Sequence, residues 1–220
     1  MGNNHWMSEA PLRQRGRPGR TPRPVEDTRA AILGAALTLF SERGFDGAAM
    51  RDIAARAGVE HSLLRYHFTD KASLWRAALS DLIAHMNAEM ALSWRASRGQ
   101  GTVERFKTFV RAYVRYCARH PEHARIMVQE ASGDNDRVAW IAAEIVGPQH
   151  RGLAVMLEAL MAGGHLPRLP VRSLIYILSA AAQAPFTLAY EVRHAYGVDT
   201  TSEAEIEAHA DALIKLLIRD

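Results

Sequence analysis

The sequence predicts an all-α chain of about nine helices, and three observations carry that prediction. Apolar side chains recur every three or four residues through most long segments, the period of a helix with one buried face. Glycine, proline and short polar side chains punctuate those segments where helices start and stop. No stretch of useful length alternates apolar and polar residues as a half-buried strand would.

The first three helices form a head. The first ends in Phe40-Ser41-Glu42-Arg43-Gly44-Phe45. Ile53, Ala54 and Ala57 make the apolar stripe of a short second helix, and the small Ala54 lets another helix cross close to it. Gly58 supplies the turn at a position that needs positive φ, and Val59 plugs the angle between the helices. A third helix starts at about residue 60. Leu64 and Phe68 fall on its inner face, leaving His61, Ser62, Arg65 and Tyr66 on or beside the outer one. Such donors and aromatics suit groove edges and phosphates, so residues 52–71 read as a helix-turn-helix that binds DNA.

The pattern Asp52-Ile53-Ala54, Ala57-Gly58-Val59, Tyr66-His67-Phe68 and Lys71 resembles the DNA-binding domain of TetR-type (tetracycline-repressor-like) regulators, over roughly residues 26 to 75. Carried over by position, the resemblance implies that Arg51, His61, Ser62 and Leu63 face bases. It implies that Arg65, Tyr66, His67 and Lys71 hold phosphates. Two positions depart from the family pattern. Ala48 and Ala49 stand where a hydroxyl often caps the helix and donates to phosphate. Glu60 stands where serine is frequent, and either tunes specificity by accepting from a cytosine amine or caps the helix.

Five arginines, Arg13, Arg15, Arg17, Arg20 and Arg23, face only Glu9 within residues 1–24, while the whole chain carries a formal net charge of +3. The basic surplus therefore lies in this proline- and glycine-rich tail, which is expected to be disordered when free. Arg15 and Arg17 are candidates to enter an A·T-rich minor groove, against the plainer role of a solvated leader. The expected division is a tail over 1–24, a helix-turn-helix domain over 25–70, and a ligand-binding and dimerisation domain over 71–220.

The body continues helix after helix. Thr69-Asp70 starts one whose apolar positions Leu74, Ala78, Leu82, Met86 and Met90 run to about residue 94. After Gly99-Gln100-Gly101, Thr102 caps a helix marked by Val103, Phe106, Val110, Tyr113 and Cys117. Pro121 opens a short helix, and residues 132–136 form a polar turn. A long helix follows to about Ala162, interrupted at Gly147-Pro148 and ended by Gly163-Gly164. Pro170 begins the next, reaching about Tyr196, and Ser202-x-x-Glu205 is a capping box for the last.

In the family, the C-terminal bundle holds a small ligand and pairs with a second copy through its last two helices, which the resemblance implies here. The residues add a polar line, Tyr176, Ser179, Gln183, Thr187 and Tyr190, on one face of an apolar helix. It reads as a pocket wall, a dimer seam or a solvent-facing stripe. Met86, Met90, Phe106, Tyr113, Met127 and Trp140 are candidates to complete a pocket, each also a plausible core residue. An aromatic acid would need a bidentate arginine, with Arg125, Arg137 and Arg151 available. Leu213, Ile214, Leu216 and Leu217 crowd the terminal helix and point to a homodimer.

No metal, cofactor or catalytic constellation is expected. There is no His-Glu-x-x-His, phosphate loop, Gly-x-Ser-x-Gly elbow or Cys-x-x-Cys pair. Asp134-Asn135-Asp136 lacks the glycine and glutamate of a calcium loop. No apolar run approaches the roughly 20 residues of a membrane span, and the arginine-rich N-terminus is unlike a secretory signal, so a cytoplasmic protein is expected. The reading is a homodimeric repressor released from a near-palindromic operator by a small-molecule effector. Its alternatives are an activator, or a DNA-binding module controlled by a protein partner or by no ligand.

Overall fold

The computed structural model describes residues 25–219; the basic tail, with Arg15 and Arg17, lies outside them. The helices are α1 (Val25–Gly47), α2 (Met50–Ala57), α3 (His61–His67), α4 (Lys71–Ala96), α5 (Thr102–Arg119), α6 (Pro121–Ala131), α7 (Asp136–Ile141), α8 (Gly147–Ala162), α9 (Val171–Thr187), α10 (Ala189–Tyr196) and α11 (Glu203–Leu217). A π-helical turn, Ala142–Val146, joins α7 to α8 in one rod. Pro148 causes it. Proline has no N–H to return to the carbonyl four residues back, and the Gly147 N–H reaches five residues back to the Ala142 carbonyl instead.

Counting that rod once gives ten helices among the described residues, because the segment expected as one helix from Pro170 to Tyr196 is two, bent by 65°. Pro185 lies inside α9 and leaves the Ala181 carbonyl without an amide partner. His209 of α11 repairs the loss, its Nε2 donating to Ala181 O at 2.9 Å. The break is thus tied down from another helix, which the local sequence does not announce.

Caps set the other boundaries. Asp70 accepts from the Ser73 N–H at 2.6 Å while Ser73 Oγ accepts from the Asp70 N–H, a reciprocal box that starts α4. Those bonds hold the Asp70 carboxyl below the usual carboxylate range. Ser202 Oγ accepts the Glu205 N–H and starts α11. Gly101, not Thr102, occupies the N-cap of α5, without a side-chain bond. Asn135 caps α7 through bonds from the Arg137 and Val138 N–H groups, confirming residues 132–136 as a turn.

One hydrophobic cluster runs from head to body. Ile32, Leu39 and Phe40 of α1 meet Leu74, Trp75 and Ala78 of α4, and the same cluster continues through Phe106, Val110 and Val114 of α5 to Leu157, Leu160, Leu174 and Leu178. Cys117 is a buried core residue, as expected, its thiol pushed up to about 12 by burial. Leu74, Trp75 and Ala78, in the first two turns of α4, share this cluster with α1. Over 26 residues, α4 extends roughly 39 Å at 1.5 Å per residue, which makes it a rod shared by head and body.

Candidate nucleic-acid interface and internal cavity

Gly58 sits at φ +67°, ψ +37°, and its N–H and that of Val59 close the end of α2 onto Ala55 O at 3.1 Å and Ala54 O at 3.0 Å. This left-handed cap lets α3 leave α2 at a sharp angle, with Leu64 and Phe68 locked into the head core. The opposite face is open: Arg51, His61, Ser62, Leu63, Arg65 and Tyr66 are all exposed, Tyr66 to 81%. His67 is half-buried, with its ring edge-on to Tyr66 at 5.5 Å. Arg43 fastens α1 to the start of α2 through Asp52 at 2.9 Å, while Arg51 lies 3.5 Å from the same carboxylate and extends into solvent.

Two expected departures have structural counterparts. Ala49 is the N-cap of α2 and makes no side-chain bond; its carbonyl accepts the Asp52 N–H at 3.0 Å and the Ile53 N–H at 3.1 Å. Glu60 occupies the N-cap of α3, exposed and likewise unbonded there. Lys71 Nζ donates to the carbonyls of Phe45 at 2.8 Å and Asp46 at 3.3 Å and stands 4.5 Å over the Phe45 ring. It thereby closes the end of α1.

The body holds a cavity of about 320 Å³ between α4, α5, α8 and α9. Met86, Asn87, Met90 and Trp94 line it from α4; Phe109 and Tyr113 from α5; Gln149, His150, Gly152 and Leu153 from α8; Ile175, Leu178 and Ser179 from α9. Trp94, Phe109 and Tyr113 form an aromatic wall, with successive ring centroids 6.0 Å apart. No Asp, Glu, Lys or Arg is among the lining residues. Burial lowers the His150 pKa, favouring its neutral ring, and drives the Tyr113 hydroxyl far above the usual phenol range. Gln149 Nε2 is buried with no acceptor among the described residues. The cavity thus offers flat apolar surface and a few neutral hydrogen-bonding groups, the make-up of a small-molecule site.

Of the expected pocket residues, Met86, Met90, Tyr113 and Ser179 line this cavity. Gln183 stands behind it, donating to Tyr113 Oη at 2.7 Å. The others lie elsewhere. Phe106 is sealed in the core, Met127 packs against the core from α6, and Trp140 meets Trp75 at 5.6 Å. Arg125 is half-buried on α6, Arg151 is exposed, and Arg137 is paired with Glu130; none of the three is among the residues lining this cavity. Tyr176 is exposed, its ring edge-on to the lining His150 at 5.4 Å. The polar line does not act as one wall: Ser179 and Thr187 bond carbonyls of their own helix, and Tyr190 is on α10, exposed. Sequence reading missed Trp94, Phe109, Gln149 and His150. The i, i+4 pairing of Phe109 with Tyr113 was the available signal for one of them.

A family model described as bacterial regulatory proteins, tetR family, matches residues 32–78. The HTH-type transcriptional regulator RutR of Escherichia coli strain K12 is 25% identical over 205 residues, covering 91% of this chain and 93% of RutR. The HTH-type transcriptional repressor Rv3405c of Mycobacterium tuberculosis is 46% identical over 63 residues, 29% of this chain and 34% of that protein. Among solved structures, the ketosteroid transcriptional regulator KstR2 of Mycobacterium tuberculosis superposes with a TM-score of 0.67 at 18% identity, over 87% of this chain and 95% of KstR2, a likeness of fold.

Proposed function

We propose, from the tetR-family model that matches residues 32–78 and the likeness to RutR over 91% of the chain, that this is a DNA-binding transcriptional regulator of that family, a homodimeric repressor released from a near-palindromic operator when a small molecule fills the cavity. The observation that carries this reading is α4. The same helix sets Leu74 and Trp75 in the head core and Met86, Met90 and Trp94 in the cavity wall. A ligand that displaces the distal half of a rigid helix tilts the head at its other end, and its leverage equals its differential affinity for the two states.

On the DNA side, Arg51, His61, Ser62 and Leu63 are proposed to face bases, and Arg65, Tyr66 and His67 to hold phosphates, with Glu60 at the edge of that surface and Arg15 and Arg17 of the tail in the minor groove. The dimer seam is assigned to the outward faces of α9 and α11. Leu213, Ile214 and Leu217 are buried within the chain, leaving Leu216, 75% exposed, at the end of the row Ala204, Ala208, Ala212. On α9 the exposed Ile177, Ala180 and Ala184 continue that surface. Small residues on both helices allow a second pair to approach closely, and two-fold pairing places the recognition helices about one DNA turn apart or a small multiple of it. Among the described residues no single helix is long and apolar enough to cross a membrane. A protein that works on an operator acts in the cytoplasm.

Fluorescence anisotropy with a genome-selected operator tests this. Arg65→Ala is expected to weaken binding uniformly across sequences and to reduce the salt slope by about 1. Arg51→Ala is expected to cost about 1–3 kcal/mol and to relax sequence preference at the contacted base. Unchanged affinity in both variants, or a strictly monomeric protein at micromolar concentration, would overturn the reading. Deleting the gene is expected to raise target expression; a fall would identify an activator.

A further inference from the structure

Trp94 and Gly152 line the effector cavity and also a second cavity of about 260 Å³, bounded further by Thr102, Arg105, Val155, Met156 and Ala159. The chemistry of the two spaces differs. The larger has no charged side chain; the smaller has Arg105. Its guanidinium stacks against the Trp94 ring, 4.7 Å from the centroid, and Nε is buried with no hydrogen-bond acceptor among the described residues. The acid next to it in sequence, Glu104, is bonded to Lys107 at 2.8 Å. Arg105 makes no ion pair of its own among the described residues. A buried guanidinium N–H without an acceptor is costly, and a carboxylate is the group its planar fork fits best.

We infer that the effector is a small hydrophobic acid, its apolar body against Trp94, Phe109 and Tyr113 in the larger cavity and its carboxylate on Arg105 in the smaller. This rests on reading the larger cavity as the effector site. The ligand passes the edge of Trp94 above Gly152, whose missing side chain leaves the passage open: a Cβ built there meets no heavy atom within 4 Å. Position 152 therefore takes a Cβ without a clash, and a longer side chain there is expected to close the link between the two spaces.

The full chain is titrated, by calorimetry and by thermal shift, with three matched pairs: indole-3-acetate and its amide, 4-phenylbutyrate and its amide, decanoate and its amide. At least one acid is expected to bind tenfold or more tightly than its amide. Arg105→Met is expected to bring that acid down to the level of the amide with the melting temperature of the ligand-free protein unchanged, Arg105→Lys to restore part of the preference, and Gly152→Leu to remove it while the amide still binds. Should Arg105→Met fail to fold, Arg105→Lys and Gly152→Leu decide alone. An amide that binds as tightly as its acid, or an acid preference that survives in the variants, overturns the inference and leaves the effector cavity standing. No binding by any acid or amide overturns the effector-cavity reading and this inference with it.

Discussion

Replacing Arg137 with methionine is expected to destabilise the fold by about 3–5 kcal/mol, the usual cost of leaving one member of a buried ion pair alone. Glu130 is only 5% exposed, and its Oε2 accepts from Arg137 Nε at 2.8 Å. Without the arginine a carboxylate stays buried with no counter-charge. The same guanidinium lies 4.1 Å over the Phe45 ring, so its removal also strips a cation–π contact of about 1 kcal/mol. Urea unfolding at neutral pH measures the loss as a lower midpoint at unchanged slope. The decisive control is the double variant Glu130→Met with Arg137→Met, which removes both charges and is expected to regain most of the stability. If the double variant is as weak as the single, packing and not the stranded charge is responsible.

That ion pair has its place at the joint between head and body. Gly44, at φ +70° and ψ 174°, breaks the end of α1 in a conformation that side-chain-bearing residues avoid, and so delivers Phe45 to the joint. The Phe45 ring stacks on Phe40 at 6.0 Å, meets the edge of Trp75 at 6.3 Å, and lies beneath Lys71 and Arg137. Trp140 touches Trp75 from α7, and Gln129 Nε2 of α6 donates to Ser41 O of α1 at 3.1 Å. A shift of α4 at the cavity therefore moves Trp75 within a ring cluster that α6 and α7 also hold. Lys71 has partners that its local sequence does not announce: the carbonyls at the end of α1 lie 25 and 26 residues away in sequence and next to its Nζ in space.

Local rules made the head legible. Gly58 declares its positive φ, Leu64 and Phe68 declare the inner face, and what remains of α3 points outward whatever lies beyond it. The cavity was legible only in part, because its lining depends on where other helices lie. Phe106 and Phe109 are three residues apart on α5, a rotation that separates them by roughly 60° around the axis. One is sealed in the core and the other faces the cavity, and no property of α5 alone assigns them. The arginines show the same limit. Arg125, Arg137, Arg151 and Arg105 look alike along the chain, and only non-local neighbours separate a solvent-facing residue, a paired one and one without an acceptor. The bend after Pro185 depends on His209, a partner 28 residues from the carbonyl it satisfies.

Acid is expected to weaken the fold through His123 before most carboxylates titrate. His123 is 6% exposed on α6 and its Nδ1 lies 3.0 Å from Tyr116 Oη, a hydrogen bond that the neutral ring can make. Burial lowers its pKa from 6.5 to about 4, with Glu122 opposing and His120 assisting. Between those values the unfolded chain takes up a proton that the folded chain refuses, so stability is full above pH 6.5 and falls as the pH drops toward 4. Below about pH 4 both states are protonated at this site and the loss stops growing. A displacement of this size corresponds to about 3 kcal/mol at 1.4 kcal/mol per pH unit. His123→Gln keeps an acceptor for Tyr116 and has no proton to gain, so urea titrations of the two proteins are expected to diverge progressively through this window and to run parallel above it. Parallel curves down to pH 4 would show that His123 is not the group responsible. The effect reaches the joint by a short path, because α6 carries His123, Gln129 and Glu130 within eight residues: loosening its first turn slackens the bond to Ser41 and the ion pair to Arg137 from the same end.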